Sequence, residues 1–237
     1  MDTKKLRQKI LDLAIRGKLV PQDPSDEPAS VLLERIRKEK ERLIKAGKIK
    51  RDKEKTSDKS HYRNVPFEVP EGWAWCRLGD IFHVMMGQSP EGSSVSHNNQ
   101  GIEFHQGKLC FSEKYLEKSN FYTDNPTRIA EPNSLLLCVR APVGIVNITL
   151  RKICIGRGLC AIIVPETMDI LFVFYWLKTL ENIFNQKATG STFTAISGDI
   201  IKNELIPLPT LCEQKRIVSK IEKIFTQLDE IEKAIKV

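Results

Sequence analysis

Ile217-Val218-Ser219-Lys220-Ile221-Glu222-Lys223-Ile224-Phe225-Thr226-Gln227-Leu228-Asp229-Glu230-Ile231-Glu232-Lys233-Ala234-Ile235 is the stretch on which the fold turns. Its apolar positions Ile217, Ile221, Ile224, Leu228, Ile231 and Ile235 alternate in steps of four and three, with charged or polar residues between them. That stripe is too narrow for a globular core and suits knobs-into-holes packing in a coiled coil. A lone helix of this length is marginal in water, so the seam requires a mate in this chain, in a second copy or in a different protein. Residues 4 to 19 carry Leu6, Ile10 and Leu13 at the same spacing, with Ile15 and Leu19 near the edge and Gly17 as a stop, and so offer one.

The 237 residues, 41% of them apolar, suffice for one substantial core with helical arms. The longest apolar run, Met168 to Leu180, carries Asp169 and Lys178, and the N-terminus lacks the apolar stretch of a signal peptide. A cytoplasmic chain with no membrane role is the expectation. Cys76, Cys110, Cys138, Cys154, Cys160 and Cys212 form no C-x-x-C pair and read as reduced residues of apolar surroundings. Residues 1 to 60 hold 18 Lys and Arg against 11 Asp and Glu, so the whole net charge of +7 resides there. Such a surplus suits a polyanion such as DNA, although a mixed charge run on a helix is also a solvated face.

Outward from the two seams, Pro21, Pro24 and Pro28 make a loop, and Ser30 caps a charged helix that ends at Ala46-Gly47. Lys48 to Ser60 reads as a linker. Strands are expected at Trp75 to Leu78, Ile102 to Phe104, Leu109 to Phe111, Ser134 to Val139, Gly144 to Ile148 and Leu159 to Val164. One helix is expected over Met168 to Asn185, and the terminal helix starts near Leu211 after Pro207-Leu208-Pro209. The fold class is therefore α+β (mixed α/β), with spacer helices and linker at 1–60, a central domain at 61–210 and a coiled-coil helix at 211–237.

Several motifs occur together and in order. Gly190-Ser191-Thr192-Phe193 with Ile196-Ser197, Ile206-Pro207-Leu208-Pro209, and Glu213-Gln214-Lys215-Arg216-Ile217-Val218 resemble the end of a target-recognition domain in specificity subunits of type I restriction-modification systems. Leu13-Ala14-Ile15-Arg16-Gly17-Lys18-Leu19-Val20-Pro21-Gln22 and Glu27-Pro28-Ala29-Ser30-Val31-Leu32-Leu33 resemble that family's spacer region. Val139-Arg140-Ala141-Pro142-Val143-Gly144 and Ile155-Gly156-Arg157-Gly158-Leu159 resemble its internal strand-and-turn motifs.

The resemblance implies a non-catalytic reader of double-stranded DNA, two of whose recognition domains address the halves of a bipartite target. It implies methyltransferase (M) subunits as partners and, through them, a restriction (R) subunit. S-adenosylmethionine, ATP and magnesium belong to those partners, and the chain itself needs no cofactor. It departs from the pattern in holding one recognition domain. A homodimer pairing the N-terminal helix of one copy with the C-terminal helix of the other would bury both seams and read an interrupted palindrome. About 20 helical residues span roughly 30 Å, near one turn of duplex.

Arg140 and Arg157 each follow apolar strand residues and precede Pro or Gly turns, a setting that aims a fork of donors outward for guanine or phosphate. The competing reading packs each against a buried carboxylate. Lys187, Ser191 and Thr192 border the Gly190 loop and suit phosphate, unless the hydroxyls cap local backbone. Gln88, Ser89, His105, Gln106 and Lys108 carry the groups that read base edges. His61, His83, His97 and His105 lie far apart in sequence, which gives no metal-ligand spacing, and Trp73, Trp75 and Trp176 read as core. No phosphate loop, nucleophile elbow or methyltransferase signature is present. A small DNA-cleaving or DNA-modifying enzyme would have Glu103, Glu113, Asp124 and Lys108 as its cluster, and a helical scaffold without a DNA role would use the seam alone.

Overall fold

The computed structural model describes residues 2–47, 49, 65–190 and 194–235. The linker expected at 48–60, along with Ser191, Thr192 and His61, lies outside the described residues apart from residue 49. The chain divides into two compact units, one of residues 1–81, 165–172 and 205–237 and the other of residues 82–164 and 173–204. These bounds differ from the division by sequence, because residues 65–81, 165–172 and 205–210 join the helical unit.

In the first unit, α1 (Thr3–Ile15) packs against α7 (Leu211–Ile235), and the order of contacts makes the pair antiparallel. The Thr3 hydroxyl donates to Glu232, Arg7 donates to Asp229 at 2.5 Å, and Gln22 donates to Glu213 at 2.6 Å at the opposite end. The mate of the seam is thus the chain's own N-terminal helix, where a helix from a second copy was the expectation. A short sheet explains why. β1 (Ala74–Arg77) runs antiparallel to β11 (Leu205–Leu208), so the segments preceding one and following the other leave from the same place.

The seam is buried along part of its length. Ile10, Ile217, Ile221 and Leu228 are buried and Leu13 and Ile224 half-buried, whereas Leu6 is 39%, Ile231 43% and Ile235 65% exposed. Only the last residues of α7 run past α1, whose first residue Thr3 meets Glu232, and Ile235 among them is the most exposed position of the seam. The loop between α1 and α2 (Ala29–Lys45) is fastened to the start of α7: Arg216 donates to Asp26 at 2.6 Å, and Thr210 donates to the same carboxylate at 3.0 Å. Glu213 is buried and accepts from the Trp73 indole at 2.7 Å. Burial pushes its carboxyl above the usual range, against the pull of the Trp73 and Gln22 donors. Its role is that of an anchor more than of a complement to the helix dipole. α2 begins at Ala29 behind Pro28, with no side-chain cap from Ser30.

The second unit holds two sheets. β2 (His83–Met86), β10 (Leu159–Ile163), β7 (Ser134–Cys138) and β8 (Val146–Thr149) form an antiparallel sheet in that order. β3 (Val95–Ser96), β5 (Tyr122–Thr123), β4 (Ile102–His105), β9 (Ile153–Ile155) and β6 (Ile129–Ala130) form the other, in which β4 and β9 run parallel. Leu136, Cys138, Leu159 and Ala161 of the first sheet share a core with Ala130, Ile153 and Ile155 of the second. All six cysteines are free; four are buried, and burial pushes the Cys138 and Cys160 thiols up to about 12. Cys212 is exposed, contrary to the core reading.

Two expected elements take other forms. Leu109 to Phe111 is a 3-10 turn over Lys108–Cys110 and not a strand. The helix expected over Met168 to Asn185 breaks at Leu180 into α4 (Ile170–Thr179) and α5 (Glu181–Lys187). α3 (Leu78–Ile81) and α6 (Gly198–Asn203) are short.

Candidate nucleic-acid interface

The chain leaves one sheet of the second unit for the other at Gly156-Arg157-Gly158, the turn between β9 and β10. Two other segments are laced to this turn through the main chain. Gly156 N–H donates to His105 O at 2.8 Å and Gly158 N–H to Gln106 O at 3.1 Å; Gly87 N–H donates to Leu159 O at 2.9 Å and Gln88 N–H to Ile155 O at 3.1 Å. Such close approach leaves no room for side chains. A Cβ at Gly87 would overlap Gly156 O, and one at Gly156 would overlap the Gln106 amide.

Arg140 arrives at the same place from the end of β7. Val139 N–H donates to Gly158 O at 2.9 Å, and Ala141 N–H donates to Thr194 O at 3.1 Å. That second bond ties Arg140 to the loop in which Thr189 and Ala195 exchange two hydrogen bonds of 3.0 Å. Arg128 joins from the β5–β6 loop, where its carbonyl accepts Ile155 N–H at 2.9 Å and the neighbouring Thr127 hydroxyl donates to Gln88 O.

These segments bring Gln88, Ser89, Gln106, Arg140 and Arg157 near one another, with Arg128 beside them. Gln88, Gln106, Lys108, Arg128, Arg140 and Arg157 are exposed. Among the described residues, none of the three guanidinium groups or the Lys108 ammonium pairs with a carboxylate, so the packing of Arg140 and Arg157 against buried acids does not occur. Beside Lys108, Leu109 is 86% exposed. The result is a polar and cationic surface held by a lattice of main-chain bonds.

Other candidates take other places. His105 is 2% exposed, and its Nε2 lies 2.8 Å from Glu103, so its ring serves the interior and not a base edge. Glu103 accepts two bonds of 2.9 Å from Arg151 and one of 2.8 Å from Ser119 N–H. Burial would raise the Glu103 carboxyl, but the donors Arg151, Ser119 and His105 prevail and hold it at about 2. Burial lowers the His105 pKa against the pull of Glu103, so at neutral pH an uncharged ring donates. Glu103, one of the three acids of the stand-alone enzyme reading, is thereby committed to this network. No group of three His, Cys, Asp or Glu placed to hold a metal ion occurs among the described residues. Lys187 pairs with Glu204, and a phosphate would have to compete for it.

Sequence reasoning passed over Arg128 and Leu109. Arg128 follows Asn125-Pro126-Thr127, a turn signal that marks a loop without saying where its carbonyl will dock. Leu109 opens the expected strand Leu109 to Phe111, whereas the preceding Gly107 and Lys108 suit a turn.

The family model described as "Type I restriction modification DNA specificity domain" matches residues 70–237. The specificity subunits of the Escherichia coli type I restriction enzymes EcoAI and EcoEI are each 32% identical to the chain, over 98% and 97% of it and 41% and 40% of their own lengths. The crystal structure of the HsdS subunit from Thermoanaerobacter tengcongensis aligns with 98% of the chain at a TM-score of 0.65 and 28% identity, using 52% of that subunit. The chain thus spans about two fifths of these curated relatives and about half of the solved one. No helix among the described residues is long and apolar enough to cross a membrane.

Proposed function

The chain belongs to the type I restriction-modification DNA specificity family, and on that premise we propose that it is a non-catalytic reader of double-stranded DNA. The observation that carries this reading is the set Lys108, Arg128, Arg140 and Arg157, four exposed cations without carboxylate partners among the described residues, on one laced group of turns. Unpaired cations are available to phosphates, and bidentate Arg on a rigid turn suits guanine. Gln88 and Gln106 supply amide groups beside them. Chemistry then resides elsewhere: methyltransferase subunits with S-adenosylmethionine, and a restriction subunit with ATP and magnesium, are the partners this reading assigns.

The chain matches about half of its solved relative and supplies one reader. We assign a second copy to the uncovered end of the helical pair, where Leu6, Ile231 and Ile235 remain exposed. The target of such a dimer is an interrupted palindrome. Titration of mixed-sequence duplex with the chain alone, and with its cognate methyltransferase subunit, tests the reading. The expected result is salt-dependent binding that Arg140→Ala and Arg157→Ala each weaken, with the slope against the logarithm of salt falling by about 1 where the arginine holds a phosphate. Absence of binding in both preparations contradicts it.

A further inference from the structure

Resting on the DNA-reading proposal, we infer that Ser89 is a positioning residue that locks the Gln106 side chain with its NH2 outward and so selects guanine at one position of each half-site of the target. The Ser89 hydroxyl has two neighbours. Its oxygen accepts Arg157 N–H at 3.3 Å, and it donates to Gln106 Oε1 at 2.7 Å. The first bond uses one of the two lone pairs and leaves the hydroxyl proton free for an acceptor. The amide carbonyl of Gln106 fulfils this; with the amide reversed, two donors would face one hydroxyl and its own proton would have none.

The pocket for that carbonyl is built into the backbone. Gly156 lies against it, and the Cβ of any other residue there would fill the space that Oε1 occupies. The Gln106 main chain is held by Gly158, whose N–H donates to Gln106 O at 3.1 Å. With Oε1 fixed toward Ser89 and Gly156, the NH2 group stands on the opposite side, and among the described residues nothing accepts its protons. Gln106 is exposed, flanked by Lys108 and by the Arg157 turn.

The chemistry of base edges then decides what this group reads. A freely rotating glutamine meets adenine with both its atoms, accepting from N6 and donating to N7. Guanine presents two acceptors, N7 and O6, and no major-groove donor. A glutamine whose oxygen is already engaged and whose NH2 faces out matches both guanine acceptors, and the tether to Ser89 leaves adenine one bond, to N7, in place of two. Ser89 touches no base in this account and acts through Gln106.

The experiment is selection from a randomised duplex pool by the full chain, alone and with its methyltransferase subunit, followed by sequencing of what is retained. Wild type, Ser89→Ala and Gln106→Ala are compared. In the expected result each half-site of the wild-type motif contains one guanine at which Ser89→Ala lowers the guanine-over-adenine ratio about tenfold while total retention changes less than about twofold. Gln106→Ala flattens that same position and no other, which supplies an answer even if Ser89→Ala does not fold. A uniform loss of retention, the outcome of a merely structural role, overturns the inference, as does a wild-type motif that neither variant changes. A pool from which wild type enriches nothing overturns the DNA-reading proposal itself.

Discussion

Arg7 of α1 and Asp229 of α7 meet at 2.5 Å, and the Arg7 guanidinium lies 4.6 Å from the centre of the Phe225 ring. One side chain thus clasps two consecutive turns of the terminal helix. The two ends of the chain, more than 200 residues apart, are joined by this contact and by the isoleucines beneath it.

Because Ile221 is buried in that pair and Ile235 is not, the two positions separate the closed part of the seam from the open part. Ile221→Ala is expected to destabilise the protein by about 2 to 5 kcal/mol, and Ile235→Ala by less than about 0.5 kcal/mol. Denaturant unfolding followed by circular dichroism checks both.

The open part bears on assembly. Light scattering of the chain is expected to give a mass near twice 27.0 kDa, reverting to 27.0 kDa when Ile231→Asp and Ile235→Asp are combined. A doubled mass that survives those changes places the contact elsewhere.

Arg140 and Arg157 stand on bonded turns without acidic partners among the described residues, so their truncation is expected to leave the fold intact. Each alanine variant is expected to lose about 1 to 3 kcal/mol of affinity for the selected duplex. If the arginine reads a base the loss is confined to one sequence, and if it holds phosphate the loss is shared by all duplexes; fluorescence anisotropy on matched and mismatched DNA separates these.

The Glu103 network makes the second unit sensitive to acid. Glu103 has its folded pKa depressed to about 2 from a reference of 4.5, so its contribution to stability is present above about pH 4.5 and is lost as pH falls toward 2. His105 is lowered from 6.5, and charging it on acidification acts in the same direction. Wild type is expected to exceed Glu103→Gln in stability at pH 7, with the gap closing below about pH 4.5, as thermal unfolding across that range would record.

Legibility in the sequence followed the range of the interaction. The four-three spacing of Ile217 to Leu228 and the apolar runs of β7 and β10 are local patterns, and the elements lie where those patterns place them. β3, β5 and β6 are two-residue strands held by register with distant partners, so no local periodicity announces them. The interface divides in the same way. Arg157 between two glycines was readable as an exposed turn, but the burial of His105 depends on Glu103 and Arg151, the latter 46 residues further along the chain. Whether the seam closes on its own chain or on another depended on β1 pairing with β11, a long-range event that the spacing of the seam cannot encode.

The most direct measurement of the central claim is sequencing of the duplexes retained from a randomised pool by the wild-type chain with its methyltransferase subunit. The account predicts a defined motif occurring as two inverted copies separated by unselected bases. Retention with no sequence preference, or cleavage of the DNA by the purified chain alone, would contradict it.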